Sequence, residues 1–172
     1  MRLKVIKPPE TEPVSVAEMA AYLRLDCDEE NELVGQLIKA ARQFCETFQR
    51  RAYLKQTLEV IDTPVNKVLE LPRSENLQEV VSVAGAAAGY TVKQDLLARL
   101  EFNSNITDSL QVQYVTGADN PADVDDQVKL AIKILAAHWF ENRTAVLIST
   151  STPREVPLAV KALLEPGRII TL

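Results

Sequence analysis

Apolar residues at steps of three and four mark the clearest segment of the chain. Between Asn120 and Arg143 they fall at Val124, Val128, Ala131, Ile132, Leu135, Ala136 and Trp139. This spacing predicts a helix with one buried face, Lys129 and Lys133 lying opposite. Asp123 is the expected N-cap, with Asp125 and Asp126 in the first turn, where carboxylates suit the positive end of the helix dipole. A second stripe, Leu33, Val34, Leu37, Ile38, Ala41, Phe44, Cys45 and Phe48, predicts a long helix that starts within residues 26–30 and ends near Gln49. Its acidic start and the Arg50, Arg51 pair at its end both fit the dipole. A shorter helix should begin at Ser15, where Ser15 and Glu18 are spaced as a capping box and Val14 and Met19 as a hydrophobic staple. The last helix is expected from Pro157 through Leu164, stopping at Glu165, Pro166 and Gly167 and leaving residues 168–172 as an apolar tail.

From Tyr53 the period changes to two. Gln56 to Ile61, Val68 to Leu71, Val80 to Ala84, Tyr90 to Val92, Leu97 to Phe102 and Leu110 to Val115 read as strands, with polar turns between them. Residues 1–13 read as an extended lead-in, because three prolines exclude helix while Leu3 and Val5 alternate with Arg2 and Lys4. Such a segment suits addition to a sheet or a neighbour. The expected fold class is therefore mainly α with a small antiparallel β insert (α+β), its helical core built on the two long helices. The expected organisation is one domain over residues 1–172, with lead-in 1–13, β insert about 53–116 and a loop or arm at 143–156.

Composition narrows the chemistry. At 172 residues, 47% hydrophobic and 25% charged, the chain is long enough for a real core. Aromatics make up only 5%, which leaves few stacking platforms for bases. The net charge of −5 argues against general affinity for a phosphate backbone. Arg42, Arg50, Arg51 and Lys55 do form a local basic zone, but arginines near a helix end more often satisfy carbonyls. Cys27 and Cys45 sit far from any ligand cluster, so neither a disulfide framework nor a zinc site is expected. The acidic run at 28–32 lacks the glycine spacing of a calcium loop, and Gly85 to Gly89 lacks the Lys-Ser of a phosphate loop. No metal and no cofactor is expected. No apolar run approaches a membrane span, and the expected home is a cytoplasm.

Candidate sites are few. His138 and Glu141 lie one helical turn apart and are the only anchor for an enzymatic reading, which would need a third partner and a pocket. No catalytic set is expected. Ala145, Val146, Leu147 and Ile148 sit in a connection that otherwise reads as a loop, and apolar residues there need somewhere to be buried. Together with Arg154 and the tail residues Ile169 and Ile170, they are the candidate subunit or partner interface.

The order SVAEMAAYLRLD, DEENELVGQLIKAARQFCE, QTLEVI, LPR, VVSV, LQVQYVTG and VKLAIKILAAHWFENR resembles the head-tail connector proteins of long-tailed double-stranded DNA bacteriophages, also called adaptor or head-completion proteins. The resemblance spans roughly residues 14 to 165. It implies a structural virion-assembly protein, from a phage or prophage, at the junction of head and tail and assembled in the host cytoplasm. It implies about twelve copies in a ring, hence heterologous contacts between two unlike surfaces of each subunit. The implied partners are the portal protein and a stopper or tail-completion protein, with packaged DNA as passing cargo and no membrane. The alternatives are a small enzyme using a pocket near His138 and Glu141, or a regulatory adaptor domain.

Overall fold

The computed structural model describes residues 1–26, 28–85, 89–142 and 158–170. The chain forms two compact units, each built from two stretches: Met1–Thr11 with Arg50–Asn120, and Glu12–Gln49 with Pro121–Leu172.

The first unit is all strand. β1 (Arg2–Lys7), β2 (Gln56–Asp62), β7 (Leu110–Thr116) and β4 (Leu77–Ala84) form an antiparallel sheet in the order β1-β2-β7-β4. β3 (Val68–Glu70), β6 (Ala98–Phe102) and β5 (Tyr90–Gln94) form a second, in the order β3-β6-β5. Period-two alternation aims Leu58, Val60, Val112 and Tyr114 of the first sheet and Leu69, Leu100 and Phe102 of the second into one buried cluster. The Tyr114 hydroxyl donates to the Pro72 carbonyl at 2.5 Å, so the one polar tip in that cluster is satisfied. Burial pushes the phenol's pKa up. At the end of β7, Gly117 has φ +103° and packs against the Leu54 backbone so closely that any Cβ would collide with it. Only glycine fits there.

The second unit is helical. α1 (Val16–Leu23) starts at Ser15 with the predicted capping box: the Glu18 amide donates to Ser15 Oγ, and the Ser15 amide donates to Glu18 Oε2. Val14 and Met19 beside it are each 1% exposed, as a staple requires. α1 ends at Arg24, which takes the left-handed conformation and donates to the Ala20 and Ala21 carbonyls. α2 (Asn31–Gln49) and α3 (Asp126–Glu141) bury their predicted stripes, Val34, Ile38, Ala41 and Cys45 against Val128, Ala131, Ile132 and Leu135. The Phe44 and Trp139 rings meet edge-on with centroids 6.4 Å apart. α4 (Leu158–Leu164) buries Val160 and Leu164.

Two expectations are corrected. The fold is not mainly helical around a small β insert: among the described residues helix accounts for 37% and strand for 29%, in two antiparallel sheets with a hydrophobic cluster of their own. Each short run was legible as a strand, and residues 1–13 as a segment suited to joining a sheet, but local alternation does not say which strands pair, so neither β2 as the partner of β1 nor the second sheet was visible. Asp123 also does not cap α3. It closes a 3-10 turn, Pro121–Asp123, and Asp125 occupies the N-cap position.

Candidate interaction surfaces

The four-stranded sheet turns a polar face away from its cluster. There β2 places Glu59 opposite Lys4 of β1 on one side and Gln113 of β7 on the other. Gln113 and Gln111 donate their side-chain amides to Glu59 Oε2 at 2.8 and 2.7 Å. These two bonds, Gln113 first, hold the carboxyl below the usual carboxylate range, with Lys4 and Arg2 adding to the effect. The arrangement stabilises the ionised carboxylate.

A groove of about 460 Å³ lies in the same unit, between Lys7–Thr11 and the facing ends of β2 and β7. Its rim is charged in both signs, and the charges are paired: Lys7 to Glu10 at 2.8 Å and Lys55 to Asp119 at 2.9 Å. The hydrogen bond from Lys7 holds Glu10 below the ordinary range, and the one from Lys55 does the same for Asp119.

The basic zone dissolves in three dimensions. Arg42 is 1% exposed and fully engaged, its Nε donating to Glu12 Oε2 at 2.6 Å and its Nη1 to Glu46 Oε2 at 2.8 Å. Arg51 grips Glu75 with both Nε and Nη2. Lys55 belongs to Asp119. Sequence reading missed the burial of Arg42, Glu46 and Gln49; the one signal was their i, i+4 and i, i+3 spacing along the apolar stripe. Gln49 closes the end of α2 by donating its side-chain amide to the Leu164 carbonyl at 2.6 Å.

His138 is half-buried near the end of α3. Asn142 Nδ2 lies 3.4 Å from its Nδ1 and donates to its backbone carbonyl at 2.7 Å, while Glu141 is exposed. The structure therefore brings Asn142, not Glu141, to the imidazole. Among the described residues no group of three or more His, Cys, Asp and Glu could hold a metal ion, and no helix is long and apolar enough to cross a membrane. Of the candidate interface residues, Ala145, Val146, Leu147, Ile148 and Arg154 lie outside the described residues. Ile169 is 5% exposed, and its amide donates to the Gln49 carbonyl at 3.0 Å. Ile170 next to it is 69% exposed.

The described residues define an α+β protein with two antiparallel sheets and paired surface charges. Solved structures match it along its whole length. A chain from the neck of an empty gene transfer agent (GTA) particle, computed with C6 symmetry, aligns with a TM-score of 0.77 at 20% identity, covering 100% of this chain and 97% of that one. A chain from the virion of a native gene transfer agent particle gives 0.76 at 19% identity, with the same coverage of both chains. One from the neck of a native GTA particle, computed with C12 symmetry, gives 0.68 at 19%, again over 100% and 97%. The fold is thus that of these particle chains, in keeping with the connector-type resemblance in the sequence. No protein-family model and no curated protein matches the sequence.

Proposed function

We propose that this protein is a structural subunit of the neck of a phage-like particle: a head-tail connector that forms a ring, docks on the portal and receives the stopper or tail. The observation that carries the reading is full-length agreement of the fold, over 100% of this chain and 97% of its counterpart, with chains of particle necks. Partial matches to a common motif would carry far less, since fold alone rarely implies function. The C6 and C12 symmetries of those necks support a cyclic arrangement, in which every subunit presents two unlike surfaces. Ala145 to Ile148, Arg154 and Ile170 are our candidates for one of them. In this role the protein resides at the head-tail junction of the particle after assembly in the host cytoplasm, with DNA passing through the ring. It needs neither catalyst nor cofactor.

Electron microscopy of the purified protein mixed with the portal from the same genome tests the reading. Rings of density stacked on the portal are the expected result. A portal that stays bare at saturating protein concentration overturns it.

A further inference from the structure

An unpaired strand edge invites another chain, and proteins blunt such edges with charge, bulges or shortness. Among the described strands, three of the four sheet edges are blunted. β1 carries Arg2, Lys4 and Lys7 and an irregular register after Val5. β4 has two register shifts, and β3 is three residues long. β5 has neither a register shift nor a run of charges. It pairs with β6 in unbroken register from Tyr90↔Phe102 to Gln94↔Ala98, and it contains no proline. Its one charge, Lys93, is held by Glu101 at 2.7 Å.

The hydrogen-bond phase is fixed as well. The Asn103 amide donates to the Gly89 carbonyl at 3.1 Å. In an antiparallel pair the bonded positions alternate, so Thr91 and Lys93 turn their backbone groups toward β6, while Tyr90, Val92 and Gln94 turn theirs outward. Tyr90 and Val92 face the same side of the sheet as their buried partners Phe102 and Leu100, yet they are 38% and 46% exposed. The apolar face thus runs on past the last covered strand. The far end of β5 is pinned, because Gln94 Nε2 donates to the Ser74 and Glu75 carbonyls at 3.0 Å each.

We propose that β5 is an acceptor edge and that its occupant is an extended segment of a second copy of this chain, residues 145–149. That run, Ala-Val-Leu-Ile-Ser, is as long as β5, has no charge and no proline, and is rich in residues that favour strands. Added beside β5, it satisfies the outward groups of Tyr90, Val92 and Gln94 and covers the two exposed apolar side chains. Donor segment and acceptor edge are different surfaces of the same chain, as a head-to-tail ring requires. The inference rests on the ring reading above for its choice of occupant.

Hydrogen exchange on the full chain, across a dilution series and with an added peptide of residues 144–152, tests it. Exchange at Tyr90, Val92 and Gln94 should slow by about tenfold or more as either concentration rises. A peptide carrying Val146→Pro should have no effect. In the protein, Val92→Pro removes an outward amide and breaks no backbone bond to β6, so melting should fall no more than for Val92→Ala while slowing at Tyr90 and Gln94 disappears. Slowing that falls elsewhere, survives Val92→Pro or is already complete in dilute monomer overturns the proposal, the last by pointing to insertion within one chain. Rings on the portal that persist with Val92→Pro remove this contact and leave the neck reading intact. A bare portal with peptide-dependent protection does the reverse.

Discussion

Arg42 and Glu46, one turn apart on α2, join through a 2.8 Å bond although each side chain is only 2% exposed. Glu12, thirty residues before Arg42, supplies a second carboxylate to the same guanidinium. Removing Arg42 takes this cation from the Glu46 carboxylate, which is buried, and from Glu12 beside it. Arg42→Ala is therefore expected to destabilise the protein by about 3–5 kcal/mol. The double substitution Arg42→Met with Glu46→Leu should recover much of the loss, because no buried charge pair is left to desolvate. Urea unfolding of the two variants beside the parent checks this; an Arg42→Ala chain as stable as the parent would refute it.

Gly35 sits inside α2, and a Cβ there would meet Val16 Cγ2 at 3.7 Å, an ordinary contact. Glycine in a helix interior carries an entropic penalty that alanine lacks. Gly35→Ala should stabilise the protein by about 0.5–1 kcal/mol. A lower melting temperature for the variant would show that α1 and α2 need the closer approach.

Glu18 is held below its ordinary pKa, first by the Ser15 backbone amide and then by the Ser15 side chain. A carboxyl depressed in the folded state contributes stability above its unfolded value near 4.5, and this contribution fades as pH falls through the folded value. Because Glu18 is exposed, the effect is a small one. Thermal melts between neutral pH and about pH 3 should fall less steeply for Glu18→Gln than for the parent. Parallel curves would rule out a contribution from this box.

Burial, followed by the Glu46 charge, pushes the Cys45 thiol up to about 12. A thiol of that kind is protonated at neutral pH and shielded from reagents. In a Cys27→Ser background, Cys45 should react with a disulfide reagent only as fast as the protein unfolds, so labelling should accelerate with denaturant. Rapid labelling in native buffer would contradict this burial.

The elements that could be read along the chain were those whose evidence is local. Ser15 and Glu18 cap α1 within one turn of each other, and the α2 and α3 stripes repeat every three or four residues, so neither depends on a distant partner. The strand runs near Gln56, Ala98 and Leu110 were equally plain. The partners of the basic zone were not legible: helix-end carbonyls were the expectation, while Glu12, Glu75 and Asp119 pair with Arg42, Arg51 and Lys55 from far along the sequence. The partner of His138 was not legible either: helical spacing allows Glu141 but does not choose it over Asn142.

By itself the sequence determined where helices and strands run and which side of each is apolar, since backbone geometry couples side chains only a few residues apart. Tertiary structure alone decided that the described strands divide into two sheets, that Arg42 is a core residue, and that β5 is an edge strand among them. Those outcomes depend on which distant segments meet, and strand register and charge pairing are set at that contact rather than within either segment.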